Sequence, residues 1–362
     1  MAISRWLVGF GMSMIGLAAC GFKQGASIDA GAGDDASTDD ARAGDDGGAP
    51  DAPDGGQSVD IPFRSCMGLQ MSCGASGNDN CCNSPALPAG NYFRSYDIAP
   101  DDAFGSMNAP ATLGELRLDK YEVTVGRFRA FVAAGKGTQA GPPAVGSGAH
   151  AAIAGSGWDA SWNTSLAATR ADLMAAVKCT GVPTWTDSAE SNESRPINCV
   201  TWYEAMAFCA WDGGYLPTEA EWNYAATGGD EQRAYPWSIP AAATVLNGAH
   251  ASYKDGADCV GDAQPGCTIA DLVVVGNKAP GEGRWGQSDL AGNVREWVLD
   301  YHAAAYSAAC TNCAQLVPSP ARVARGGGFG SDGFSLRTGF RINPAPSDRS
   351  DLTGIRCARP PQ

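Results

Sequence analysis

Histidine is scarce in this chain, and positive charge is in deficit. His150, His250 and His302 are the only histidines among 362 residues. None lies in an HExxH arrangement and the cysteines show no paired CxxC spacing, which argues against zinc; three scattered histidines also supply no iron-binding triad. Lysine and arginine total 25 against 39 aspartates and glutamates, for a net charge of -14. Without a basic face to neutralise phosphates, nucleic acid is not an expected partner. Long uninterrupted helices are excluded as well, because 47 glycines and 22 prolines punctuate the sequence. The apolar stretch Trp6 to Ala19 stops short of the ~20 residues that a membrane-spanning helix needs.

That short stretch has a different meaning. Arg5 precedes it and Leu17-Ala18-Ala19-Cys20 closes it, the form of a bacterial lipobox. Residues 1–20 therefore predict an export signal cut before Cys20, whose thiol would carry lipid. The alternative is an ordinary secretory signal with an incidental cysteine. The expected location is extracytoplasmic, lipid-anchored to the bacterial cell envelope at the outer membrane. Residues 21–60 are rich in alanine, glycine and aspartate, with Lys23 and Arg42 the only bases. Such a segment cannot bury enough surface to offset its ordering entropy and predicts a flexible linker, with a reach of roughly 30–40 Å.

The remainder divides into a Cys-rich leading segment, 61–110, and one large domain, 111–362. Setting Cys20 aside leaves twelve of the thirteen cysteines, an even number in an oxidising compartment, which favours disulfides. Proximity suggests Cys179 with Cys199, Cys259 with Cys267, and Cys310 with Cys313. Cys66, Cys73, Cys81 and Cys82 allow any of three connectivities. Cys310-Thr311-Asn312-Cys313 has redox spacing, but its loop surroundings favour a structural bridge. Two helices are predicted: Val125 to Ala134 after Thr124, and Trp202 to Trp211 after Thr201, with Glu204 placed for a capping box. Short strands and turns elsewhere give an irregular, disulfide-stapled α+β fold with little regular secondary structure.

Four segments carry more specific information. They are Leu118-Asp119-Lys120-Tyr121-Glu122-Val123-Thr124; Arg195 to Trp202 running on to Leu216-Pro217-Thr218-Glu219-Ala220-Glu221-Trp222; Asp289-Leu290-Ala291-Gly292-Asn293-Val294-Arg295-Glu296-Trp297; and Arg325-Gly326-Gly327-Gly328-Phe329 with Gly354-Ile355-Arg356-Cys357. In this order they resemble the formylglycine-generating enzyme, or sulfatase-modifying factor, family, whose domain is a variant of the C-type-lectin-like fold. The resemblance implies a bridge between Cys209 and Cys357. It also implies calcium at the third segment, where Asp289 and Glu296 with the carbonyls of Gly292 and Val294 offer hard oxygens; the alternative is a charged loop satisfied by arginine and backbone. Leu216 to Trp222 reads as an N-capped helix start of architectural role. Gly328 to Gly333 matches GxGxxG by chance, since no βαβ unit can follow it.

The chemistry of the resembled family is not carried over. Its active members hold Cu(I) on two cysteines five residues apart beyond the RGG strand. Here the first falls at Ser331 and the second at Ser335 or Leu336, while Gly328 replaces a serine and Arg295 a tryptophan. Hydroxyl and apolar groups do not replace soft thiolates, so copper is not expected. The resulting expectation is a binding module for a peptide, glycan or protein at the envelope, its cleft lined by Arg295, Ser331, Asp332 and Arg337. The alternative is a sulfatase-modifying, formylglycine-generating or other oxidase-type enzyme working through a divergent active site.

Overall fold

A computed structural model of the protein describes residues 63–306 and 309–362. The export signal, Cys20 and the 21–60 linker lie outside the described residues. Strands β1 (Ala86–Leu87), β2 (Gly90–Phe93), β3 (Pro110–Leu113) and β4 (Leu116–Leu118) precede helices α1 (Val125–Ala133), α2 (Arg170–Ala176), α3 (Trp202–Trp211) and α4 (Glu219–Thr227). After these come β5 (Lys254–Asp255), β6 (Asp258–Cys259), β7 (Arg295–Tyr301), β8 (Cys310–Thr311), β9 (Arg322–Arg325), β10 (Thr353–Gly354) and β11 (Ala358–Arg359). The strands form three small sheets, ordered β1-β4-β11, β10-β7-β9 and β2-β3-β8, and the pair β5-β6. This is the expected irregular α+β architecture. A boundary at residue 110 is not what the chain uses: it cuts β3, and β1 and β2 pair with β4 and β3. The leading segment is therefore built into the same unit as the large domain. Among the described residues no helix is long and apolar enough to cross a membrane.

Helix starts follow their caps. The Thr124 hydroxyl accepts from the Arg127 amide at 3.2 Å and opens α1. Thr201 and Glu204 close a reciprocal box at α3, and Thr218 and Glu221 do the same at α4, each satisfying two amides that a first helical turn leaves orphaned. Phe128 and Phe131 of α1 meet Phe208 of α3 at ring distances of 6.0 and 5.5 Å. Val125, Val132, Trp202 and Trp297 complete that core, all fully or almost fully buried.

So few long elements bury limited apolar surface for their length, and covalent and ionic ties supplement it. Six disulfides are present among the described residues, including the three proposed from proximity. Cys66–Cys82 and Cys73–Cys81 select one of the three open connectivities. Cys209–Cys357 joins α3 to the C-terminal segment with Cα atoms 5.5 Å apart across 148 residues. On chain-entropy grounds a loop of that size contributes roughly 5 kcal/mol.

A four-member ionic cluster stands beside this bridge. Arg127 contacts Asp119 at 3.1 Å and Asp212 at 2.7 Å, while Arg359 contacts the same two carboxylates at 2.8 Å each, and all four side chains are sealed from solvent. Burial pushes the Asp119 carboxyl up, but Arg359 and Arg127 outweigh it and hold the group below the usual carboxylate range. Removing one carboxylate leaves two buried guanidinium groups undercompensated. Asp119→Ala is expected to cost roughly 3–5 kcal/mol in urea unfolding, against less than about 1 kcal/mol for breaking the exposed Lys178–Asp187 pair. A loss for Asp119→Ala no larger than that of the surface pair would show that the cluster is not a stabilising tie.

Candidate functional site

The turn after β9 is where the resemblance puts catalysis. Arg325 ends the strand with its Nη2 2.6 Å from Glu219 Oε1 of α4. Gly327 follows at φ +66°, where a Cβ would stand 2.7 Å from the Leu336 side chain and 3.0 Å from the Ser335 carbonyl. Only glycine lets the chain fold back so closely. At Gly328 the amide donates to Ser331 Oγ at 3.0 Å, and a Cβ there would press on the Leu352 carbonyl at 3.0 Å. Glycine at 328 and serine at 331 are thus one local solution: the small residue fits under Leu352, and its amide finds an acceptor in the Ser331 hydroxyl.

The second position is equally committed. Asp332 caps a short 3-10 turn, Gly333–Leu336, accepting from both the amide and the hydroxyl of Ser335 at 2.9 and 2.8 Å. Leu336 is buried in the core with Tyr235 and Tyr253. Neither residue offers a free nucleophile. All twelve cysteines from Cys66 to Cys357 are paired, so no thiolate is available among the described residues. Cys310–Cys313 is one of these bridges.

The loop from Asp289 to Glu296 differs from the ligand set read from sequence. Glu296 is held by Arg356, whose Nη2 is 2.7 Å from Oε1 and whose Nε is 3.0 Å from both oxygens. Its Oε2 also accepts from Trp222 Nε1 at 2.6 Å. An oxygen pair so occupied is not free for a cation, so the full set of Asp289, Gly292, Val294 and Glu296 does not fit as it stands. Asp289 Oδ2 accepts from the Gly276 amide at 2.6 Å, and burial, with Glu296 and Glu282 adding to it, raises its pKa to about 6. Glu122, which the sequence reading gave no role, accepts from the Val294 amide at 3.0 Å and the Asn293 amide group at 2.7 Å. Burial, then Asp289 and Glu296, push it well above the usual range. Asn293 Oδ1 is buried without a partner. Among the described residues no three His, Cys, Asp or Glu side chains gather to hold a metal ion. A cation here would rest on Asp289, the Asn293 amide oxygen and backbone carbonyls. A carboxylate inside the apolar run Tyr121-Glu122-Val123 was the signal for Glu122.

The four expected cleft residues are not brought together by any mutual hydrogen bond. Arg295, half-buried, donates to Thr353 Oγ1 at 2.7 Å and Ser350 Oγ at 3.1 Å. Arg337 is buried and turned away, its guanidinium pairing with Asp97 at 2.5 Å and Asp101 at 2.8 Å. Asp332 is exposed and occupied with its cap. Arg337 fails as a cleft residue because two aspartates of the leading segment, more than 200 residues away in sequence, neutralise it. A roomy opening lies elsewhere, a cavity of about 600 Å³ lined by Tyr92, Phe93, Tyr96, Ile98, Gln232 and Cys310 among others.

An irregular α+β domain stapled by disulfides, with an RGG turn set against a GNxxEW loop, defines the class. Residues 81–361 match the sulfatase-modifying factor enzyme 1-like domain, and the chain belongs to that family. It is 32% identical over 302 residues to the formylglycine-generating enzyme of Streptomyces coelicolor, covering 75% of this chain and 87% of that one. It is 34% identical over 175 residues to the inactive C-alpha-formylglycine-generating enzyme 2 of Bos taurus, covering 46% of this chain and 52% of that protein. The chain thus spans about half the length of the bovine protein and of its mouse counterpart. Among solved structures, PvdO from Pseudomonas aeruginosa superposes with a TM-score of 0.51 at 22% identity, over 78% of this chain and 95% of that one. That likeness concerns the fold.

Proposed function

We propose that this domain is a non-catalytic member of its family, a binding module for a peptide, glycan or protein at a bacterial envelope. One observation carries the reading: Ser331, at the position of the first catalytic cysteine, has its hydroxyl engaged by the Gly328 amide, while every cysteine from Cys66 to Cys357 is in a disulfide. A soft copper ion then has no soft ligand. The word "inactive" in the names of two relatives belongs to those proteins, and it accords with this reading. The aromatic-lined cavity at Tyr92, Phe93 and Tyr96 takes the place of the expected cleft as the surface for a partner. The test is direct. Incubated with a cysteine-containing sulfatase peptide, copper, reductant and oxygen, the purified protein should yield no hydrazide-reactive aldehyde; turnover lost on Ser331→Ala would overturn the assignment.

Anchoring rests on Leu17-Ala18-Ala19-Cys20 and the polar stretch after it. Mass spectrometry of the membrane fraction should find a diacylated N-terminus at Cys20. A soluble, unmodified form indifferent to Cys20→Ala would exclude it.

Calcium enters through Asp289, the unpartnered Asn293 Oδ1 and neighbouring carbonyls, with Glu296 kept by Arg356. The melting temperature should rise with the logarithm of free calcium once the site is saturated, and Asp289→Ala should flatten that response. A curve unmoved by calcium or chelator would mean that Arg356 alone closes the loop.

A further inference from the structure

Arg322 is the unexplained cation of the fold. It opens β9 directly opposite Tyr301 of β7, and its guanidinium lies flat between aromatic faces, 3.3 Å from the Tyr301 ring centroid and 3.5 Å from that of Trp202. The side chain is 1% exposed. Its deeply buried neighbours are paired differently: Arg127 and Arg359 share two carboxylates, Arg325 has Glu219, Arg337 has Asp97, and Arg356 has Glu296. Among the described residues none stands within ion-pair distance of Arg322. The carboxylate next to Tyr301 on β7, Asp300, is occupied by the Glu219 and Gln315 amides, both at 2.7 Å.

The hydrogen bonding is incomplete in the same direction. Nη1 donates to the Leu299 carbonyl at 2.6 Å, but among the described residues Nε is buried with no acceptor and Nη2 makes no hydrogen bond. Burial lowers the group's pKa to about 10, which leaves it a cation at neutral pH. Asp300 acts on it only from beyond ion-pair distance, and a buried charge without a contacting counter-charge is costly unless something neutralises it. Beside it lies a cavity of about 310 Å³, lined by Arg322, Tyr301, Trp162, Asp159, Leu316 and Pro318 among others, with the exposed Asp159 carboxylate at its rim occupied by the Ser161 amide and hydroxyl at 2.8 and 2.7 Å. No residue of this cavity belongs to the Ser331 turn or to the Asp289–Glu296 loop.

We infer that this cavity is a binding site for a carboxylate, which would take the free Nε and Nη2 edge of Arg322 side-on. The geometry selects the anion. A guanidinium stacked on two rings has only its edge left for an anion, and a planar carboxylate can lie in the same plane and accept two parallel N–H bonds. A tetrahedral phosphate cannot match that plane as a carboxylate does, and Trp162, Leu316 and Pro318 suit the organic part of an acid rather than an inorganic ion. The cavity admits either a small free acid or the C-terminal carboxylate of a peptide, and the shared chemistry is the carboxylate.

The experiment uses the full-length protein and follows tryptophan fluorescence and thermal unfolding with benzoate, with a tripeptide carrying a free C-terminus, with the same tripeptide amidated, and with phosphate, all against sodium chloride at matched ionic strength. Saturable binding of benzoate or the free tripeptide is expected, on the order of millimolar for ligands this small. Benzoate alone assigns the site to free acids, whereas a free tripeptide that outbinds its amidated form assigns it to a chain end. Arg322→Lys keeps the charge but not the fork and should weaken binding by roughly tenfold or more. If that variant does not fold, Leu316→Trp, which fills the cavity and spares the guanidinium, should abolish binding instead. Carboxylates acting no differently from chloride, binding unchanged in the folded variants, or phosphate binding more tightly than either carboxylate would each overturn the assignment.

Discussion

The structure depends on the insertion of its C-terminal segment, Gly354 to Arg359, between parts of the chain that lie far away in sequence. Within these six residues Arg356 takes Glu296 and donates to the carbonyls of Asp119, Lys120 and Ser288. Cys357 is bridged to Cys209, and Arg359 closes the cluster with Asp119 and Asp212. The backbone takes part too, since the Val123 amide donates to the Ile355 carbonyl at 2.7 Å and Ala358 exchanges bonds with Tyr215. One short segment thus fixes the start of α1, the end of α3 and the GNxxEW loop relative to one another.

Short strands make such a clasp necessary. A two-residue strand such as β10 or β11 contributes few ladder bonds and almost no apolar face. What fixes its register is the set of side chains flanking it. A buried ion pair is in itself weak evidence of stability, because desolvating both partners offsets most of the attraction. Its specificity is another matter: a misregistered β11 would leave Arg359 in the core with no acceptor, and that alternative is strongly disfavoured. The covalent bridge limits the unfolded ensemble while the ion pairs select one arrangement within it.

This division explains what the sequence discloses. Helices α1, α3 and α4 are legible because their caps are local, with Thr124, Thr201 and Thr218 each within three residues of the groups they satisfy. Helix α2 carries an equally local box, Thr169 with Asp172, yet most of it is exposed, so the apolar spacing that reveals the other helices is weak. Close cysteine pairs are legible by proximity, and Cys209–Cys357 only through resemblance. The cleft was not legible. Arg337 looks available in sequence, but its partners Asp97 and Asp101 are set by tertiary packing, as is the Arg356 pairing that removes Glu296 from a calcium set. Arg322 likewise gives no sequence sign that it lacks a carboxylate.

Losing the cysteine pair does not perturb this scaffold, because the turn that would carry it is supported by other groups. Gly327 lets the chain double back onto Leu336, Arg325 anchors β9 on Glu219, and the Gly328 amide needs only one acceptor, which the Ser331 hydroxyl supplies. A serine is therefore a stable occupant of that site in the structural sense while being unable to bind a soft ion. The fold tolerates that exchange for the same reason that it cannot by itself assign a function: the residues that hold the turn are not those that do chemistry on it. Asn293 and Arg322 are two of the buried residues among those described that carry an unpartnered polar atom, and each stands beside a space or a loop that a ligand could use. Arg127, Arg325, Arg356 and Arg359 all meet a carboxylate in this core, so a guanidinium that meets only aromatic faces and one carbonyl is a place where the molecule has something left to bind.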